Sequence, residues 1–201
     1  MNQLTLHVND EKLEFQPVEL IFSEENLTEV FALEDLETLQ EALSRSEYSG
    51  LKESCEENYS KLLDRPLGKA VSKLKQKNEP LYQSFLNEHG DRTYTQFFIK
   101  DPKALMDKGL YAYTVDDELV YIGSSLEDYK KTVNSGQGTI APKDCYRDGE
   151  TENYRLNALI AEEKESKTVR FYTYPMENEA MIMELEQRLI EGYGPGWNGR
   201  V

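Results

Sequence analysis

The stretch GLYAYTVDDELVYIG, residues 109–123, sets Tyr111, Tyr113 and Tyr121 around an acidic turn, Asp116-Asp117. A tyrosine hydroxyl donates and accepts hydrogen bonds. Its proton, ordinarily held to a pKa of about 10, becomes available for base chemistry when a cation lies close. Tyrosine is also a good strand former, so the same pattern suits plain sheet packing. Alternation puts Tyr111 and Tyr113 on one face of the first strand, and Leu119, Tyr121 and Gly123 on one face of the second. Whether Tyr111 and Tyr121 share a face depends on the turn register, which Asp116-Asp117 does not fix. Elsewhere the chemistry is sparse. His89, before Gly90, reads as a solvated or capping residue rather than a ligand or base. Two histidines, and two cysteines without a CxxC pair, argue against a zinc site.

The elements that must position these tyrosines form a second segment, 105–201, which reads strand, turn, strand, helix, loop, helix, strand, helix. Strands are expected over 110–115, 119–122 and 168–174. SSLEDYKKTV begins at Ser124 with a hydroxyl cap and carries Glu127 and Asp128 in its first turn, which predicts a helix. NSGQGTIAPKD is expected to be non-helical because it holds Gly136, Gly138 and Pro142. Helices follow over 151–165 and over ENEAMIMELEQRLIEGY, which ends near Gly194 and leaves the tail PGWNGRV. Trp197 in that tail reads as a core plug.

The first segment, 1–104, opens with a hairpin over 4–15. Apolar residues near helical spacing, from Leu27 to Leu43, predict a helix over SEENLTEVFALEDLETLQEALSR. Helices are expected over 52–65 and 67–79, divided by Pro66. A short one starts at Pro80 and stops at Gly90, and a strand covers 94–100. No chemical constellation stands out in this half, whose acidic helices read as solvated faces or as a surface for a protein partner.

With 23 Lys+Arg against 38 Asp+Glu the net charge is −15, and neither half is basic, so the chain as a whole repels nucleic acid at long range. No apolar run approaches the roughly 18 to 20 residues of a membrane span. The N-terminus lacks the basic-then-apolar order of a signal peptide. A cytoplasmic protein with Cys55 and Cys145 as reduced thiols is the expectation.

The order GLY, then YIG with ten positions from Tyr111 to Tyr121, a helix with basic residues, and a final ELEQRLIEGYGPGWN resembles the GIY-YIG nuclease superfamily over about residues 105–201. Leu110 stands where isoleucine is usual. The resemblance implies an α+β fold with a small antiparallel three-stranded sheet flanked by helices, here preceded by a mostly helical N-terminal region with a short hairpin. It implies an endonuclease that cuts DNA phosphodiester bonds with one divalent cation, Mg2+ or Mn2+. By position, Tyr111 and Tyr121 match the two hairpin tyrosines, one of which orients or deprotonates the attacking water; Tyr111 is the favoured one. Gly123 matches the glycine of the close turn. Glu186 matches the metal-binding carboxylate, and Asn198 the asparagine that helps to position the site.

The usual arginine, eight residues after the YIG glycine, is replaced by Lys131, with Lys130 beside it; Arg155 on the following helix is the nearest substitute. A histidine found in some branches is missing. Lysine keeps the charge but loses the fork that grips a phosphate. Apart from the motif, Glu186 reads as a surface carboxylate, Lys130 and Lys131 as solvated charges, and Arg155 as a partner for Glu152. Two functions follow: a metal-dependent endonuclease, or a weakened nuclease-derived module that binds a protein through its acidic surface. The nuclease would need a basic strip from Lys130, Lys131, Lys143, Arg147 and Arg155, or a partner that delivers DNA.

Overall fold

The computed structural model describes residues 3–199. These group into two compact units, each discontinuous in sequence. The first comprises the residues up to Glu25, Thr95–Thr139 and the chain from Leu159 onward; the second comprises Asn26–Tyr94 and Ile140–Ala158. Segment 105–201 therefore contributes to both.

The first unit is built on an antiparallel sheet. Its strands are β1 (Leu4–Val8), β2 (Glu11–Val18), β5 (Gly109–Val115), β6 (Glu118–Ser125) and β7 (Val169–Pro175), in the order β1-β2-β7-β5-β6. β3 (Leu20–Leu27) and β4 (Tyr94–Ile99) make a separate two-stranded sheet. The expected three-stranded sheet is thus corrected to five strands. The three strands do pair as neighbours, but β7 has a free edge, and Gln16–Val18 of β2 fill it by pairing with Phe171–Thr173. The hairpin over 4–15 is present, and it extends this sheet instead of belonging to a separate helical region.

A two-residue turn fixes the register that sequence pattern leaves open. Asp116 and Asp117 both have positive φ, 48° and 71°, the conformation of the tight hairpin turn that matches strand twist. Val115 then pairs with Glu118. A register shift after Tyr113 brings Tyr113 opposite Tyr121 and Tyr111 opposite Gly123. All three tyrosines share one face, together with Phe171 of β7. On the other face Leu110, Ala112, Ile122 and Tyr172 pack with Leu6, Leu13 and Phe15 of the hairpin. Ile182, Leu185 and Leu189 of the last helix, Glu179–Tyr193, join them. That helix is capped by the Asn178 side chain and ends at Gly194, whose φ of 56° is the left-handed conformation of a helix stop.

Two expected helices are corrected. Ser23–Leu27 lie in β3, and the chain then makes a 3-10 turn, Val30–Leu33, and a short α1 (Leu39–Ala42). Left-handed backbone at Asn26 and Glu29, with φ of 58° and 53°, interrupts any continuous helix there. The helix expected from Ser124 begins later, because β6 continues to Ser125 opposite Gly109; a π-helix, Lys130–Gln137, follows. It runs through Gly136, where a loop was expected.

The second unit carries α1, α2 (Lys52–Asn58) and α3 (Leu67–Gln76) around a core that includes Phe31, Leu39, Tyr48, Leu67, Val71, Leu74, Phe85 and Tyr146. Thr38 and Glu41 close a reciprocal capping box on α1. Among the described residues the α-helices α4 (Pro102–Met106) and α5 (Glu152–Lys164) precede the last one.

Candidate active site around strand β6

β6 is one of the two outer strands of its sheet, and four of its consecutive residues, Tyr121 to Ser124, gather the candidate groups. A β-carbon placed on Gly123 would lie 2.5 Å from both Cζ and the hydroxyl oxygen of Tyr111, so the Tyr111 ring occupies the space that only glycine leaves open. Tyr111 and Tyr121 stand with ring centroids 6.0 Å apart, and each lies 6.2 Å from Tyr113. Both candidate tyrosines are therefore brought together.

The hydroxyls of Tyr113 and Tyr111 are bridged by one amide. Tyr113 donates to Gln137 Oε1 at 2.6 Å, and Gln137 Nε2 donates to the Tyr111 oxygen at 2.7 Å. Burial first, and then the neighbouring Tyr121, push the Tyr111 and Tyr113 hydroxyls well above the ordinary tyrosine range. Tyr111 is 3% exposed, so in this conformation it is enclosed and neutral.

Asn198 is held at the outer edge of β6. Its Oδ1 accepts from the Ile122 N–H at 2.9 Å, and its Nδ2 donates to the Ile122 carbonyl at 2.7 Å. The Trp197 N–H donates to the Val120 carbonyl at 2.8 Å. Backbone groups that an edge strand would leave open are thus closed by the tail. Trp197 is buried, as expected of a plug.

Glu186 reaches β6 from the other face. Its Oε2 accepts from the Ser124 hydroxyl at 2.6 Å. Partial burial raises its pKa, partly offset by the hydroxyl and the backbone N–H of Ser124. Ser124 follows Gly123 directly, so Tyr111 and Glu186 meet adjacent residues of one strand from opposite faces.

The basic candidates Lys131 and Arg155 each pair with a carboxylate. Lys131 is exposed on the π-helix, its ammonium donating to both oxygens of Glu127 at 2.7 Å. Arg155 belongs to the second unit, where its Nε and Nη2 donate to the two oxygens of Glu152 at 3.0 and 2.8 Å. Lys130 lies with Lys131 in the first unit, whereas Lys143 and Arg147 lie with Arg155 in the second.

Among the described residues no group of three or more His, Cys, Asp or Glu side chains could jointly hold a metal ion. The residues present do fit a hydrated magnesium ion: Glu186 offers hard oxygen donors, is half-buried, and has no described lysine or arginine paired with it. Magnesium keeps several waters and accepts a single carboxylate as its protein anchor.

Two residues of this site escape sequence reasoning. Ser124 reads as a helix cap, although the strand's own alternation, continued two residues past Ile122, would have put it in β6. Gln137 sits between Gly136 and Gly138 and reads as loop. Comparisons with protein-family models, with curated proteins and with solved structures find no match to the chain.

Proposed function

We propose that this protein is a metal-dependent endonuclease that hydrolyses DNA phosphodiester bonds at a GIY-YIG-like site centred on β6. The observation that carries the reading is the convergence on three consecutive residues. Tyr111 covers Gly123, Asn198 clamps Ile122, and Glu186 is held by Ser124. Nothing in sheet packing requires all three in one place.

Magnesium or manganese at Glu186 would supply charge stabilisation for the oxygens that become more negative as the phosphodiester is cut. The chain's own residues do the rest. Ser124 fixes the carboxylate rotamer, and the tyrosine hydroxyls hold the attacking water. Asn198 keeps the strand that carries both in register. Lys131 is the phosphate grip within the same unit. Its exposed pair with Glu127 is of a kind worth only about 0.3–0.5 kcal/mol, so a substrate phosphate can displace Glu127 at little cost. A cytoplasmic location belongs to the same proposal and is supported by Cys55 and Cys145, which are buried and unpaired. Among the described residues no helix is long and apolar enough to cross a membrane. The test is metal-dependent cleavage of DNA that is lost on Glu186→Ala.

One observation favours the second reading, a nuclease-derived module that binds a protein partner. The second unit holds a cavity of about 390 Å³ lined by Glu34, Glu37, Asp144 and Asp148 against Arg45 and Lys143. Arg45 is already paired with Glu37 and Asp148. The acidic surplus suits a basic segment of a partner. Binding of a lysine-rich peptide, lost on Glu34→Gln with Asp144→Asn, would support it.

A further inference from the structure

The second unit holds a buried carboxylate that its own cations leave unserved. Glu34 is 4% exposed and lines the cavity of about 390 Å³ in that unit. Its backbone is fixed by α3. The Gly68 N–H donates to the Glu34 carbonyl at 2.9 Å, and a β-carbon on residue 68 would lie 2.6 Å from that oxygen, so glycine permits the approach. In the side chain, Oε1 accepts from the Leu36 N–H at 2.8 Å, whereas Oε2 has no hydrogen-bond or ion-pair partner among the described residues. The guanidinium that lines the same cavity is already divided: Arg45 donates from Nη1 to Asp148 and, at 2.8 Å, from Nη2 to Glu37. Tyr146 gives its hydroxyl proton to the Phe31 carbonyl at 3.0 Å, so it does not serve Glu34 either. The crowding is felt at Glu37, whose carboxyl is raised by burial; Arg45 opposes the rise, and Asp148 and Glu34 add to it. A carboxylate taken out of water without a cation is costly, and a guest cation removes that cost.

We propose that this cavity is a binding site for one primary alkylammonium group, seated on Oε2 of Glu34 with its aliphatic stem along Leu36, Leu67 and Tyr146. Leu67 and Tyr146 are each 1% exposed and give the cavity an apolar wall, and Leu36, 84% exposed, stands at its rim. A long aliphatic amine covers such a wall while its charged head reaches a carboxylate. The volume suits a small molecule or one side chain. A metal ion does not fit, because among the described residues no three carboxylates come together to hold one. With Oε1 engaged by Leu36, one oxygen remains, which suits the point charge of an ammonium better than the two-pronged fork of a guanidinium. The ammonium has two sources, a free aliphatic amine or a lysine of a protein, and only the second rests on the partner-binding reading. Neither depends on hydrolysis at β6.

The experiment titrates the 15N-labelled full chain with n-butylammonium chloride at constant ionic strength, read at the amides of Leu36 and Gly68. Saturable shifts are expected, with a Kd on the order of 1 mM. Glu34→Gln keeps an acceptor for the Leu36 N–H and removes the charge, and should weaken binding at least tenfold. Glu47→Gln removes one charge from an exposed position outside the cavity and should leave binding unchanged. 1-Butanol, of the same length but uncharged, should not bind in this range, a comparison that needs no variant. Absence of saturable shifts, equal weakening by Glu34→Gln and Glu47→Gln, 1-butanol binding as tight as that of n-butylammonium, or tighter binding of n-propylguanidinium overturns the proposal. 1,4-Diaminobutane and N-acetyl-lysine methylamide separate the sources: the tighter of the two assigns the ammonium to a free amine or to a protein side chain. A lysine-rich peptide that binds wild type and Glu34→Gln alike keeps the partner-binding reading and overturns this site.

Discussion

The ring of Tyr111 comes within 2.5 Å of where a β-carbon of residue 123 would be, and Gly123 is the residue that makes this possible. Gly123→Ala must push an enclosed ring aside. Because Tyr111 is buried and hydrogen-bonded at its far end, the ring has little room to move. We expect Gly123→Ala to cost roughly 1–3 kcal/mol in urea unfolding, the range for overpacking a filled core. Adding Tyr111→Leu should recover part of that loss.

Asn198 satisfies both backbone groups of Ile122. Asn198→Ala leaves them to be satisfied by solvent at a strand edge, with an expected loss of about 1–3 kcal/mol. Hydrogen exchange at the Ile122 amide should accelerate while that of Ala112, in the neighbouring strand, changes less.

The raised pKa of Glu186 makes a signed prediction. A carboxyl whose folded pKa lies above its unfolded value binds more protons when folded. Stability therefore falls as pH rises from the unfolded value of 4.5 to the raised one and stays at the lower level above it. Glu186→Gln keeps an acceptor for Ser124 and removes this cost. The variant should be more stable than wild type at pH 7, with the advantage disappearing below pH 4.5, and it should be inactive. Equal stability at both pH values would contradict it.

Lys131 is tied to Glu127 by an exposed pair. Glu127→Gln should change stability by less than about 0.5 kcal/mol yet tighten DNA binding at low salt. Lys131→Ala should flatten the dependence of log K on log salt by about one unit, as loss of one phosphate contact does. Fluorescence anisotropy with labelled DNA over a salt series reads both.

Local order was legible where local chemistry decided it. The pairing of β5 with β6, the helix ending at Gly194 and the plug at Trp197 all follow from neighbours in the chain. The partner of the N-terminal hairpin was not, because β2 meets β7 across most of the chain and no pattern in either strand names the other. The break near Asn26 and Glu29 was hidden by apolar spacing that suits a helix; only the left-handed backbone reveals it. For the site, Tyr111, Tyr121, Glu186 and Asn198 were all marked by the motif order. Their meeting on successive residues of β6 needed the register. Gln137 was masked by its flanking glycines, which a π-helix tolerates and a regular helix disfavours.

The central claim is hydrolysis at β6, and the direct measurement is conversion of supercoiled plasmid, alongside single-stranded DNA, at low salt with magnesium or manganese. Wild type, Glu186→Gln and Tyr121→Phe would be compared at equal purity. The account predicts metal-dependent nicking by wild type and at least a hundredfold loss in both variants, about the size of removing one positioned catalytic group. Nicking that persists undiminished in Glu186→Gln, or no nicking by wild type under any of these conditions, would contradict it.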